Sequence, residues 1–169
     1  MEKLVGFKNN INYDDEFIKE ILLSTKTIAI IGLSEKDNRP SNFAAKYLKN
    51  RGYKIVPINP VTKQKYIIGE KVFKSITELN FVPDMVDLFV KKEKIYAFVE
   101  EAIKIKTKTI WLQLGLIDKK SEKTAKKAGI KFIMNRCPKI EYAKFSGELG
   151  WAGINSNIIS NKRFLFKNG

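Results

Sequence analysis

The stretch TIAIIGLSEKDNRPSNFAAKYL, residues 27–48, decides the fold of this chain. It joins an apolar, β-branched run to Gly32, then to a polar loop, and then to a helical pattern that begins after Pro40. A short apolar run of this kind predicts a strand buried on both faces. Glycine allows a tight turn, and proline is favoured in the first turn of a helix. The stretch therefore predicts the strand–turn–helix unit with which a phosphate-binding turn begins in a nucleotide-binding fold.

Strands and helices alternate along most of the chain. The apolar runs predict strands over residues 27–31, 54–58, 84–90, 109–114 and 131–134. Periodic patterns and capping residues predict helices over 13–25, 42–51, 92–106 and 121–128, with a short helix starting at Ser75. Such alternation with short connections implies parallel strands joined by right-handed crossovers. We expect an α/β, Rossmann-like three-layer open parallel sheet of about five strands in the order 3-2-1-4-5, preceded by an N-terminal helix.

One domain is expected over residues 1–169, because a chain of this length supports a single core. The core should cover about residues 26–137, followed by a C-terminal extension over residues 138–169. The extension contains FSGELGWAGINSNIIS, in which Gly147, Gly150 and Gly153 are spaced by three. We interpret it as a flap over a ligand, a dimer arm or a segment that packs passively on the domain, as terminal extensions usually do.

The composition indicates an ordinary globular protein, with 44% apolar and 30% charged residues. A single cysteine excludes an internal disulfide framework. No apolar run reaches the ~18 residues that a membrane helix needs, and acidic residues near the start argue against a secretory signal. We therefore expect a cytoplasmic protein that does not engage a membrane.

The absence of histidine removes whole classes of chemistry. Ser-His-Asp hydrolysis, Cys-His proteolysis and histidine-ligated zinc all require it. The net charge of +14 would suit nucleic acid, but only four of the 32 basic residues are arginines. Arginine is the preferred partner of phosphate and guanine, and the lysines are spread along the whole chain. A nucleic-acid partner is therefore disfavoured, although the charge would attract a phosphate-rich small ligand.

Ligands of open α/β sheets bind beyond the carboxyl ends of the strands, where the strand order reverses. With the order 3-2-1-4-5, this point lies between the first and fourth strands. In the first turn, the fingerprint G-x-G-x-x-G would need glycines where the chain has Gly32, Ser34 and Asp37. Ser34 offers a hydroxyl instead, and the free amides from Ser41 onward would face an anion. Arg39 adds a forked donor at the same place.

The second turn lacks the acidic residue with which NAD-binding domains hold the ribose hydroxyls. The strand ends at Ile58-Asn59-Pro60, and Lys63 follows. This neighbourhood favours a phosphorylated ribose, such as a 3′-phosphate, and leaves NADP open. In the fourth turn, Gln113 offers an amide to a ligand and Gly115 suits a close backbone approach, whereas we interpret Trp111 as a core residue.

Several motifs together resemble those of a known family. They are G-x-S…R-P-S, V-P-I-N-P, G-E-x-V, W-x-Q-L-G and N-R-C-P-K-I-E, and the resemblance covers about residues 13–160. The chain resembles the small stand-alone CoA-binding proteins, which are similar to the CoA-binding domain of the succinyl-CoA synthetase alpha subunit. The resemblance implies a Rossmann-like domain that binds coenzyme A in its cleft.

The resemblance also implies which residues form the site. The phosphate turn corresponds to Gly32, Leu33, Ser34, Arg39, Pro40 and Ser41. The segment at the nucleotide end corresponds to Asn59, Pro60 and Lys63, and the loop beside the adenine or pyrophosphate to Val90, Lys91 and Lys92. The pantetheine side corresponds to Gln113, Leu114 and Gly115, and the last turn to Asn135, Arg136 and Cys137.

Cys137 follows the fifth predicted strand and should lie at the ligand edge of the sheet. Arg136 and Lys139 are close in sequence and would lower the pKa of its thiol, which opens a mixed disulfide with the CoA thiol. The alternative is a small buried side chain beside a proline, which is the usual state of a free cysteine. The second interpretation is favoured.

Three functions remain open at this point. The synthetase uses a phosphorylated histidine in a further domain, and this chain has neither, so the leading hypothesis is non-catalytic binding of CoA or an acyl-CoA. The apolar, glycine-rich tail is compatible with a homodimer. An NADP-linked oxidoreductase on the same fold is the second hypothesis, although no Tyr-x-x-x-Lys pair supports it. A basic nucleic-acid or regulatory partner protein is the third, and the scattered lysines argue against it.

Overall fold

The computed structural model describes residues 11–147. The strands are, in chain order, β1 (Thr27–Ile31), β2 (Lys54–Ile58), β3 (Tyr66–Ile67), β4 (Glu70–Lys71), β5 (Met85–Leu88), β6 (Thr109–Leu112) and β7 (Lys131–Ile133). The helices are α1 (Asp15–Ser24), α2 (Pro40–Asn50), α3 (Ile95–Lys104), α4 (Lys119–Lys127) and α5 (Pro138–Lys144), with short 3-10 helices at Ile76–Glu78 and Lys92–Lys94. Every predicted strand and helix is present within a few residues of its predicted bounds. The β3–β4 hairpin and α5 were not predicted.

Five parallel strands form one sheet in the order β2-β1-β5-β6-β7, so the Rossmann-like α/β class is confirmed. The predicted order 3-2-1-4-5 is wrong, because the third strand of this sheet pairs with the first and gives 2-1-3-4-5. Pro57 lies within β2 and has no N–H for a further neighbour, which confines β2 to an edge. β5 is buried at all four positions and takes the interior place.

Two layers of helices cover the sheet. On one face Ile30, Trp111 and Ile133 pack with residues of α1, α2 and α5. On the other face Val86 and Leu112 pack with residues of α3 and α4. α5 lies in the predicted C-terminal extension, and its Tyr142 is fully buried in the first of these clusters. Gly150 and Gly153 of the glycine-rich stretch lie outside the described residues.

Both edges of the five-stranded sheet are engaged by other segments. At β2, the Phe73 amide donates to the Pro57 carbonyl at 3.0 Å, and the Asn59 amide donates to the Phe73 carbonyl at 2.9 Å. Beyond β7, the Met134 amide donates to the hydroxyl of Tyr13 at 2.8 Å. The segment before α1 therefore lies against the end of β7. Among residues 11–147, no helix is both long enough and apolar enough to cross a membrane.

Candidate functional site: a cleft at the carboxyl ends of the strands

A cleft of about 1120 Å³ opens at the carboxyl ends of the parallel strands. The observed order puts the switch point between β1 and β5, rather than between the first and fourth strands as predicted. The cleft collects residues that follow all five strands of the sheet. The predicted site residues that line it are Gly32, Ser34, Arg39, Pro40, Ser41, Asn59, Pro60, Val90, Lys91, Gln113, Leu114 and Cys137.

Six predicted residues lie elsewhere, two of them being Asn135 and Arg136 of the last turn, which do not line the cleft. Leu33 is fully buried below the first turn, and Lys92 and Gly115 are not part of the cleft wall. Lys63 lines a second cavity of about 600 Å³, which shares Val61 with the main cleft. The ligand roles predicted for all of these residues remain predictions.

Gly32 ends β1 under two constraints. Its backbone angle φ is +88°, a value that residues other than glycine rarely adopt. A Cβ at this position would lie 2.1 Å from the carbonyl oxygen of Phe89, which follows β5. The Gly32 amide also donates to the Ile58 carbonyl at 2.8 Å. The first glycine of the turn is therefore required both by its own backbone conformation and by the close passage of the next strand.

The serines of the first turn hold the loop against α2. The Ser34 amide donates to Ser41 Oγ at 2.9 Å, and Asn42 Nδ2 donates to the Ser34 carbonyl at 2.8 Å. Arg39 precedes α2 without a side-chain capping bond, and it is exposed. The first turn of α2 therefore has no side-chain cap at its N-terminus. The expectation of free amides from Ser41 onward holds only for Ser41 among the described residues, because the amides of Asn42 and Phe43 donate to the Arg39 carbonyl at 3.0 and 3.1 Å.

Asn59 ties the turn after β2 to the turn after β1. Its Nδ2 donates to the Leu33 carbonyl at 3.0 Å, while its Oδ1 accepts from the amides of Val61 and Thr62 at 2.9 and 3.0 Å. Thr62 Oγ1 then donates to Glu35 Oε2 at 2.7 Å. We call this arrangement, formed by Asn59, Thr62 and Glu35, the loop clasp. An asparagine thus organises the place where an NAD-binding domain has an acidic residue.

The charge of the cleft wall has one sign. Among the described residues that line it, the charged side chains are Arg39, Lys91, Lys94 and Lys139, and none is acidic. Nearby opposite charge raises the local concentration of an anionic ligand. The described residues do not bring together a set of carboxylates or thiols suited to a metal ion.

A buried carboxyl group lies behind the cleft wall. Gln113 Nε2 donates to Asp87 Oδ1 at 2.8 Å, and Asp87 is fully buried in β5. Within residues 11–147, Asp87 Oδ2 has no hydrogen-bond partner. Burial raises the pKa of Asp87 to about 7, and the bond from Gln113 opposes this shift. Asp87 is not recognisable as a site residue from the sequence, because it is enclosed in an apolar strand pattern.

The charge of Lys139 does lower the pKa of the Cys137 thiol, as predicted, but the net shift is upward. Burial is the largest cause of the raised pKa, and the charge of Asp87 adds to it. Arg136 points to the N-terminal segment, where it donates to the Ile11 carbonyl and lies 5.6 Å from the Tyr13 ring centre. The favoured interpretation, a small buried side chain, agrees with this geometry, although the thiol does reach the cleft wall.

Sequence reasoning missed much of the helical part of the wall. The additional lining residues are Ile31, Phe43, Ala44, Val61, Phe89, Lys94, Phe98, Leu116, Lys139 and Ile140. Several of them belong to the first turns of α2, α3 and α5, which begin beside the carboxyl ends of the strands. The start of a helix beside a strand end was therefore the signal in the sequence for these residues, in addition to the turns. Trp111 is a core residue as expected, and its indole N–H donates to the Arg136 carbonyl at 2.8 Å.

The fold and the cleft define a Rossmann-like domain with a basic cleft at the switch point of its sheet. A family model, described as a CoA binding domain, matches residues 26–143, and the chain belongs to this family. The uncharacterized protein YneT of Bacillus subtilis (strain 168) is 32% identical over 126 residues, which cover 75% of this chain and 92% of that protein.

Solved structures agree with this assignment. A hypothetical protein from Pyrococcus horikoshii OT3 superposes with a TM-score of 0.74 at 36% identity, covering 79% of this chain and 92% of that one. The structure of cell-free ID.343 from Thermus thermophilus superposes with a TM-score of 0.74 at 28% identity, covering 78% and 98%. The expected resemblance to CoA-binding proteins is thereby confirmed at the level of the family.

Proposed function

We propose that this chain binds coenzyme A, or an acyl-CoA, in the cleft and carries out no reaction on it by itself. The observation that carries the proposal is the uniformly basic charge of the cleft wall beside the uncapped N-terminus of α2. Coenzyme A brings a diphosphate and a 3′-phosphate to such a surface. Membership of the CoA binding domain family supports the same ligand.

Each part of the ligand has a matching part of the cleft. Arg39 and the amide of Ser41 hold the diphosphate, because charge-assisted bonds and a helix N-terminus both favour it. Asn59 and Val61 hold the nucleoside, with Lys63 of the adjoining cavity toward the 3′-phosphate. Gln113 lies along the pantetheine arm.

The residues of the wall support binding rather than turnover. The chain has no histidine, and the described wall has no carboxylate that would act as a general base. The thiol of Cys137 has a raised pKa, which opposes its use as a nucleophile. NADP remains the informative competitor, since it carries a phosphorylated ribose and a diphosphate on the same type of fold.

Isothermal titration with CoA, dephospho-CoA, NADP and NAD at one fixed salt concentration tests the proposal. CoA should bind most tightly. Loss of the 3′-phosphate removes a charge-assisted contact of ~1.5–3 kcal/mol, so dephospho-CoA should bind about ten- to a hundredfold more weakly. Tighter binding of NADP than of CoA would overturn the proposal in favour of an oxidoreductase. Absence of binding by all four ligands would overturn it as well.

A further inference from the structure

Exposed apolar side chains are concentrated in the cleft. Within residues 11–147, the large apolar side chains that are more than half exposed are Phe43, Val61, Tyr66, Val82, Leu114 and Ile140. Four of these line the cleft, the exceptions being Tyr66 and Val82. Scattered exposed apolar residues are normal on a protein surface. A group of them inside one concave site instead marks a surface that a ligand covers.

Two of the four follow the strands that lie farthest from β1 among those at the switch-point side of the sheet. Leu114 follows β6, and Ile140 follows β7 on α5. We call these two residues the apolar shelf. Neighbouring strands are about 4.8 Å apart, so β6 lies about 10 Å from β1 and its phosphate turn. A ligand with its diphosphate at that turn would therefore bring its opposite end toward the shelf.

The polar groups near the shelf are suited to the pantetheine arm and not to what lies beyond it. Gln113 Nε2 donates to Asp87 Oδ1, and within the described residues this is the one side-chain hydrogen bond of Gln113, so its side-chain carbonyl oxygen remains available. That oxygen is an acceptor for an amide N–H of pantetheine. Free CoA ends in a thiol a short distance beyond the pantetheine amides. The shelf therefore stays exposed to water when free CoA is bound. An alkyl chain on that sulfur would cover it.

We propose that the cleft prefers acyl-CoA thioesters with an apolar acyl group to free CoA, and that the acyl chain lies on the apolar shelf. This inference rests on the proposed function, because the phosphates and pantetheine occupy the same cleft. Binding leaves the thioester bond intact. Each methylene group of the acyl chain that is removed from water by packing on the shelf increases the affinity by about two- to fourfold.

The test is titration of the full chain with CoA, acetyl-CoA, hexanoyl-CoA and succinyl-CoA, under a reductant that keeps the thiols reduced. Hexanoyl-CoA should bind about tenfold or more tightly than acetyl-CoA. The double variant Leu114→Ser/Ile140→Ser should reduce the ratio of the hexanoyl-CoA to the CoA affinity toward one. Val82→Ser is the matched control, because Val82 is 53% exposed and lies outside the cleft, and it should leave that ratio unchanged. Circular dichroism verifies that each variant is folded.

The outcomes separate this inference from the proposed function. If CoA binds but hexanoyl-CoA gains nothing over acetyl-CoA, or succinyl-CoA binds tightest, the apolar preference is overturned and CoA binding stands. If no CoA species binds, both proposals fail. Sedimentation velocity completes the test. A dimer that the double variant separates into monomers, with no change in acyl preference, would overturn the inference because a second copy would then be the occupant of the shelf.

Discussion

Both the backbone conformation of Gly32 and the atoms around it require glycine at this position. Replacing it with alanine adds a left-handed backbone penalty of about 1–2 kcal/mol and a clash with the Phe89 carbonyl of about 1–3 kcal/mol. We expect Gly32→Ala to lower the free energy of unfolding by about 2–5 kcal/mol in urea titrations. Gly129→Ala is the control, because Gly129 has a φ of +78° but nothing within 4 Å of the added Cβ. Equal losses in the two variants would contradict the role given to Phe89.

Asp87 should make the stability of the protein depend on pH. Its folded pKa of about 7 lies above the unfolded value, so the folded state binds the extra proton between roughly pH 4 and 7. The stabilising contribution is complete below the unfolded pKa and is lost as the pH rises through the folded one. From pH 5 to pH 8, the free energy of unfolding should fall by about 2–3 kcal/mol on account of this group.

Urea titrations of the wild type and Asp87→Asn at pH 5, 6, 7 and 8 measure this dependence. The asparagine cannot ionise, so the difference in stability between the two proteins should shift toward the variant as the pH rises. A difference that stays constant across this range would show that Asp87 has an ordinary pKa despite its burial. The residue also illustrates what a sequence hides, since an acid within VDLFV gives no indication of its state until its neighbours are known.

At the scale of elements, the loop clasp joins the turns that follow β1 and β2. Asn59→Ala removes three hydrogen bonds, each worth about 0.5–1.5 kcal/mol net. We expect a loss of about 2–3 kcal/mol in the free energy of unfolding, measured by urea titration. Asn50→Ala is the control at the exposed end of α2, where a surface change should stay within about 0.5 kcal/mol. If the two variants cost the same, the clasp contributes nothing to stability.

The elements themselves were predictable, and their lateral order was not. Runs such as TIAII and KIVPI predict strands from their own residues alone, and Gly52 and Gly129 mark the ends of helices in the same local way. The order of the strands depends on which strands pair with each other. A fully buried strand has the same apolar pattern on either side of β1, so the pattern does not determine its place in the sheet. Pro57 did hold the missing information, because proline is confined to edge strands. The predicted order 3-2-1-4-5 instead placed the second strand, which contains Pro57, in the interior of the sheet.

The site was predictable where it follows a strand and not where it follows from packing. The sequence alone indicated the part of the cleft that follows β1 and β2, because glycine, serine, arginine and asparagine lie at the ends of these strands. Phe98 and Lys139 reach it because α3 and α5 begin beside the strand ends, which depends on how each helix is rotated against the sheet. Lys63 was placed by counting from the strand, and the β3–β4 hairpin that follows carries it to the adjoining cavity.

At the scale of the whole molecule, the net charge of +14 attracts any polyanion, so a local phosphate contact must be separated from the general field. Arg39→Ala should weaken CoA binding about ten- to a hundredfold, the value of one charge-assisted bond. Because Arg39 is exposed and makes no capping bond, the stability should change by no more than about 0.5 kcal/mol. Isothermal titration measures the first quantity and thermal unfolding detects a change in the second.

Lys104→Ala provides the comparison for the charge. Lys104 is exposed in the last turn of α3, about 15 Å from the start of that helix at the cleft, and it carries the same charge as Arg39. Its removal should change the CoA affinity less than twofold at moderate salt. If both variants weaken binding equally, the ligand responds to the overall charge and not to the phosphate turn. The CoA affinity should also fall as the salt concentration rises, because the contacts are ionic.

The protected edges of the sheet bear on how copies of this chain could meet. A strand with unpaired amides and carbonyls is a template for domain swapping and for fibrous aggregation. Here Pro57 and Phe73 interrupt one edge, and Tyr13 occupies the amide just beyond the other. These contacts restrict cross-β growth at the β2 edge and at the end of β7. The net charge of +14 would in addition make contacts between copies sensitive to the salt concentration.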